Sequence, residues 1–345
     1  DLNVNSSFDK YCNLLTSEIQ LNERVLFVQT PQVILDAFNT DIALQKGYYI
    51  FPPTGIQYLC GSIEDFNLDV QILDLNFEIL KKVHNDPTFD VNNWDIIFEE
   101  KLKSFNPSII CISCLFDVGI SAMLKVIDIS RRSENSIVIG GGVIATYERT
   151  RLLSEGSCHF VVEGEGESKL NYLLGVLYGK KNQVSSGIHF NFNGKYEETS
   201  GALAPDVINL AGNIIDTYKL INIPEYSKYG SLNPFSRSLE NEEKPFAAIQ
   251  LGRGCRAACT FCAVRDFMGK GVRFRNLDDI ISEIEYLVES EKVQHLELLD
   301  DDPTFYKEEF KAFCREIINR KWNITWSASN GMIATSIDKE MLGLI

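Results

Sequence analysis

The sequence predicts an α/β protein: a doubly wound parallel sheet in its N-terminal half, then strand–helix units of a partial barrel. Two observations carry this. From residue 24 onward, short and near-continuous apolar runs alternate with segments of helical periodicity. That is the pattern of parallel strands buried on both faces. In addition, glycine-rich turns follow the later runs of the first half, at Gly140-Gly-Gly142 and Gly164-Glu-Gly166. Ligands of such sheets bind beyond the carboxyl ends of the strands.

Taken in order, residues 8–19 read as an amphipathic helix that packs on the first domain, and 24–30 as a buried strand. The helix expected over 55–66 has Ile56, Leu59, Cys60 and Ile63 at helical spacing. Further strands are expected at 70–75, 108–114, 136–140 and 159–163, with helices at 94–105, 118–130 and 167–177. An Asn-Gly turn within the alternating stretch 187–197 signals a hairpin. A second strand–helix series comes next, with strands at 246–251, 293–299 and 324–329 and helices at 277–288, 307–320 and 337–345. Asn276 is placed to cap the first of these helices. The expected division is a helical segment at 1–22, a flavodoxin-like domain at 23–182, a hairpin and connector at 183–244, and a half-barrel at 245–345.

Composition narrows the function. The 345 residues suffice for two domains with cores, and 45% hydrophobic with 23% charged content is that of an ordinary globular chain. A formal net charge of −15 argues against nucleic acid or an anionic membrane as partner. The sequence lacks an apolar run of about 20 residues, so no membrane span is expected. Nine cysteines without regular spacing point to a reducing cytoplasm rather than a disulfide framework. Asp1 is not a methionine and Ile345 closes an apolar stretch, so both ends read as cut.

The sharpest signal is Leu251-Gly-Arg-Gly-Cys255-Arg-Ala-Ala-Cys259-Thr-Phe-Cys262, directly after an apolar run. Gly252 and Gly254 are expected to let the chain leave that strand in a tight turn. Three thiols at this spacing can wrap one inorganic cluster, leaving one corner of a four-iron cubane open, whereas an all-cysteine site uses four ligands. A zinc site needs a fourth ligand or a water, and no histidine or further cysteine lies close by. Cys111 and Cys114 also spell C-x-x-C, but an odd separation along a strand turns them to opposite faces.

With Phe261 as the aromatic of C-x3-C-x-aromatic-C, this stretch resembles the radical S-adenosylmethionine (SAM) superfamily. The run from Cys262 to Arg275 resembles the branch that carries an N-terminal cobalamin-binding domain. That resemblance implies a 4Fe–4S cluster on Cys255, Cys259 and Cys262, SAM on the open iron, and Phe261 beside the adenine. It places the SAM amino group at the acidic run, with Asp300 and Asp301 as candidates, and the ribose near Ser327 and Asn330. It also implies cobalamin held by Ser113 and Leu115, by Gly140, Gly141 and Gly142, and by Gly164, Glu165 and Gly166. The Asp-x-His-x-x-Gly element that supplies a lower cobalt ligand in related domains is absent, so no histidine is expected on cobalt. The implied activity is radical methylation of an unactivated carbon in a small molecule, with porphyrin-cyclase-like chemistry or cofactor binding alone as alternatives. A flavodoxin- or ferredoxin-type electron donor is implied as partner.

Overall fold

The structure, a computed structural model, describes residues 6–155, 157–180, 183–201, 211–232 and 244–345, with only the backbone at 211–213. The chain forms two compact units, one of Asp1–Gln45 with Gly55–Asp206, the other of Lys46–Thr54 with Val207–Ile345.

The first unit is built on strands β1 (Arg24–Gln29), β2 (Asp69–Asp74), β3 (Ile109–Ser113), β4 (Ile137–Gly141), β5 (Phe160–Val162), β6 (Ile188–Phe192) and β7 (Lys195–Glu198). They lie in the order β2-β1-β3-β4-β5-β6-β7, the first five parallel and the last two antiparallel. The parallel part has flavodoxin order, and its switch point falls between β1 and β3. Val25–Val28 and Ile109–Ile112 are buried, as strands covered on both faces must be. Register sets Gln29 opposite Ser113, and Ser113 opposite Gly141, so these residues share the carboxyl edge of the sheet.

The N-terminal helix, Ser6–Glu18, buries Phe8 against Tyr172 and Phe190, with ring centroids 5.4 and 5.6 Å apart. The β6–β7 hairpin was expected to belong to the connector. It instead extends the sheet from β5, because Ile188 and Phe190 form an apolar face that must be covered.

The second unit contains β8 (Phe246–Ile249), β11 (His295–Leu298) and β12 (Thr325–Ser327), parallel in the order β12-β11-β8. Helices Leu277–Glu289 and Lys307–Arg320 connect them as strand–helix units, and Lys339–Leu344 comes after the last strand. The Asn276 side chain accepts the Asp278 N–H at 2.8 Å, the cap expected from the sequence. Two elements went unforeseen: β9 (Gly252–Cys255) and β10 (Gly271–Phe274) pair antiparallel as a separate ribbon. The connector also supplies helices Ala211–Thr217 and Ile223–Tyr229. Residues 46–54, expected inside the first domain, join this unit, where Ile50 N–H donates to the Ser231 carbonyl at 3.0 Å. Among the described residues no helix is long and apolar enough to cross a membrane.

Candidate functional site

The cysteine loop is the tip of the β9–β10 ribbon. Cys255 ends β9 opposite Gly271, and Cys259 and Cys262 lie on the excursion that helix Val264–Met268 closes. The glycines serve this pairing rather than a turn. A Cβ on Gly254, whose φ is +90°, would stand 2.2 Å from the Gly271 carbonyl oxygen, and one on Gly252 would stand 2.6 Å from that of Arg273. Neither position admits a side chain unless the strands separate.

The acidic run Asp300-Asp-Asp302 lies just after β11 and divides into three roles. Asp300 is buried, and its two oxygens accept the N–H groups of Leu251 and Gly252 at 2.9 and 2.6 Å. Burial pushes its pKa up to about 7, against the pull of those two N–H groups and of Arg275. It fixes the entry to the ribbon and has no oxygen turned outward for a ligand. Asp302 holds Arg256 in a bidentate pair, Nε and Nη2 donating at 2.6 Å each, while the guanidinium lies 4.9 Å over the Phe305 ring. Arg256 directly follows Cys255, so this pair anchors the loop at its root. Asp301 is the half-buried carboxylate without a hydrogen bond among the described residues, and burial raises its pKa. It lies close enough to Cys255 to push that thiol's pKa up, after burial as the main cause.

Ser327 does not stand ready for a ribose. Its hydroxyl donates to Glu297 and lies 3.0 Å from His295 Nε2, and Glu297 also accepts Ser329 N–H at 2.8 Å. Asn330 is exposed and donates to the Leu299 carbonyl at 3.1 Å. Phe261 is 91% exposed beside the exposed thiols of Cys259 and Cys262, a conformation that leaves the ring face open to a planar partner. Arg275 is buried in a pair with Glu283 at 2.7 Å, and Tyr218 donates to the same carboxylate at 2.6 Å. Arg275 is therefore part of the scaffold that supports the end of the ribbon.

In the first unit, the carboxyl edge gathers Ser113, Leu115, Gly140–Gly142 and Gly164–Gly166. Gly142 adopts φ +91°, and a Cβ there would meet the Cys114 carbonyl oxygen at 2.7 Å. At Gly141 an added Cβ meets only the Val162 carbonyl oxygen, at 3.9 Å, so bare backbone lines open space. The two glycine turns are tied together by Thr146, whose hydroxyl donates to the Gly142 carbonyl at 3.0 Å and accepts the Gly164 N–H at 2.9 Å. The exposed side chains of Leu115, Phe116 and Val118 come from the connection after β3, and that of Tyr147 from the end of the short helix Gly142–Tyr147 that follows β4. Bare glycine backbone beside exposed apolar groups fits a large, flat and partly apolar ligand.

All four histidines have structural partners. His84 meets the Ala43 carbonyl at 2.9 Å; His159 Nδ1 accepts Val138 N–H at 2.8 Å; and His295 bonds Thr325 at 2.8 Å. His189 lies between Glu163, at 2.9 Å, and the Tyr196 hydroxyl, at 2.7 Å. Glu163, His189 and Glu198 bring potential metal-ligand atoms together. Both His189 nitrogens are already hydrogen-bonded and Arg149 lies 3.8 Å from Glu163, so the cluster reads as an ion-pair network. Cys111 and Cys114 are separate buried thiols, both with pKa raised by burial.

Comparison with known proteins bears on both units. Residues 40–174 match the B12 binding domain, and residues 249–344 match the radical SAM superfamily. The chain thus belongs to the proteins that join a B12-binding domain to a radical SAM domain. It is 29% identical over 287 residues to an anaerobic magnesium-protoporphyrin IX monomethyl ester cyclase of Synechocystis sp., covering 79% of this chain and 50% of that protein. It is 23% identical to the cytidylyl-2-hydroxyethylphosphonate methyltransferase of Streptomyces wedmorensis, covering 85% of this chain and 58% of that one. In fold it resembles the radical SAM methyltransferase TsrM of Kitasatospora setae, with a TM-score of 0.64 and 17% identity over 94% of this chain and 57% of that one. The chain spans about half the length of the relatives it matches.

Proposed function

We propose that the chain is part of a cobalamin-dependent radical SAM methyltransferase acting on an unactivated carbon of a small molecule. The observation that supports this most is the pairing of two sites in one chain: three thiols on a ribbon tip, and a glycine-lined apolar edge at a doubly wound sheet. Cys255, Cys259 and Cys262 would hold a 4Fe–4S cluster, whose chemistry is one-electron reduction of the SAM sulfonium. Cobalamin, a methyl carrier, would lie against Ser113, Leu115, the Gly140–Gly142 turn and the Gly164-Glu165-Gly166 turn.

The chain's own residues divide the remaining work. Asp300 and the Asp302–Arg256 pair set the position of Cys255 before any cofactor binds. Asp301 keeps a carboxylate for the SAM amino group, and Phe261 offers its ring to the adenine. Asn330 keeps its carbonyl oxygen for the ribose, with its amide already fixed to the Leu299 carbonyl. An electron donor of the flavodoxin or ferredoxin type and a cytoplasmic setting complete the reading.

The second reading, radical oxidation or ring closure, is favoured by the likeness to a protein named as a porphyrin cyclase. Product analysis on the full-length protein separates the two. S-adenosylhomocysteine together with 5′-deoxyadenosine supports methyl transfer; 5′-deoxyadenosine alone supports the second reading. Neither product would leave cofactor binding only.

A further inference from the structure

Gln32 lies in the loop that leaves β1, at the sheet's switch point. The loop is pinned on both sides. Gln32 N–H donates to Asn76 Oδ1 at 2.8 Å, and Thr30 N–H donates to the Ser113 carbonyl at 3.1 Å. A Cβ on Gly119, in the loop after β3, would stand 2.8 Å from Thr30 Oγ1 and 3.1 Å from the Pro31 carbonyl oxygen. The loops after β1 and β3 therefore meet where the topology opens a crevice.

In this fixed loop, both polar atoms of the Gln32 side chain, Nε2 and Oε1, are buried without a hydrogen-bond partner among the described residues. Buried amides are almost always paired, and one that is not calls for a specific cause. Packing supplies none, since a methionine or leucine would fill the same volume without stranding a donor and an acceptor. The two amide atoms are sealed from solvent while the residue as a whole is half-buried, so a ligand would meet the amide only once the side chain turns outward by a change of rotamer.

We infer that Gln32 is a corrinoid-binding residue whose amide pairs reciprocally with a side-chain amide on the rim of the corrin ring. The inference rests on the cobalamin reading of this unit. A primary amide presents one donor and one acceptor side by side, the complement of what Gln32 leaves open. The rim of cobalamin carries several such amides, whereas a phosphate or carboxylate would satisfy the Nε2 side alone.

The test uses the purified chain, titrated with hydroxocobalamin and, separately, with cobinamide, which keeps the rim amides but lacks the nucleotide tail. Gln32→Met is expected to weaken both ligands by about 10- to 100-fold. The same variant is expected to raise the melting temperature of the ligand-free protein, since it removes two stranded polar atoms. A role in folding alone predicts the opposite pattern, a lower melting temperature with unchanged affinity. Loss of affinity for hydroxocobalamin but not cobinamide would move the contact to the nucleotide tail and overturn the inference. Equal affinity of variant and parent for both ligands overturns it too, while leaving the cobalamin reading intact. Failure of the parent chain to bind either corrinoid removes both.

Discussion

Replacing Arg256 by alanine should damage the cysteine loop more than replacing Asp302 by asparagine, although the two residues form one ion pair. The Asp302 side chain is 0% exposed, while that of Arg256 is 31% exposed. Removing the guanidinium strands a carboxylate that loses both of its 2.6 Å hydrogen bonds and cannot reach water. Breaking a buried pair in this way costs about 3–5 kcal/mol. Asparagine at position 302 leaves a guanidinium that can rehydrate and keeps one neutral acceptor, so the cost falls to about 1–3 kcal/mol. The double variant should be less damaged than the sum of the singles, because the stranded charge is gone. Hydrogen exchange of the backbone amides at residues 251–256 reads this locally, and iron retained after anaerobic reconstitution reads its consequence. Equal effects of the two single variants, or strict additivity in the double variant, would refute the reasoning.

Three further outcomes are expected from the same geometry. Gly254→Ala should open the β9–β10 ribbon and lower iron uptake, costing about 1–2 kcal/mol for a left-handed backbone and about 1–3 kcal/mol for the forced separation; unchanged exchange protection at residues 252–255 would contradict it. Asp300, with its folded pKa raised to about 7, contributes stability that is present below the ordinary carboxylate pKa of about 4 and lost as pH climbs through about 7. Thermal unfolding of the parent should therefore weaken over that window relative to Asp300→Asn, and parallel profiles would rule this out. Burial, helped by Arg131, depresses the His159 pKa to about 3, so its contribution is present above about 6.5 and lost as pH falls toward 3. His159→Phe should flatten the acid limb of the stability profile measured by circular dichroism, and an unchanged limb would contradict the assignment.

The sequence exposed those features that local chemistry dictates. Apolar runs marked every parallel strand within a residue or two, because strands covered on both faces tolerate little else. The three cysteines were legible because cluster ligation constrains their spacing in a single loop. What stayed hidden depends on distant partners. Gly252 and Gly254 looked like turn residues, and only their approach to the carbonyls of Arg273 and Gly271 reveals a ribbon. The acidic run read as one ligand site, yet its three carboxylates differ in their surroundings: backbone N–H groups, a guanidinium, or no hydrogen-bonding partner among the described residues. Ser327 was plausible by position but is committed to Glu297 and His295, which no spacing rule reports. Gln32 carried no motif at all. Its interest comes only from two polar atoms that the fold leaves unanswered among the described residues.

The most direct measurement is iron analysis with electron paramagnetic resonance on anaerobically reconstituted, reduced protein, before and after SAM. About four irons per chain, a signal that shifts when SAM is added, and loss of both when Cys255, Cys259 and Cys262 become alanine are expected. A four-iron centre that survives the triple replacement, or a signal indifferent to SAM, would contradict an open iron held by three thiolates at the ribbon tip.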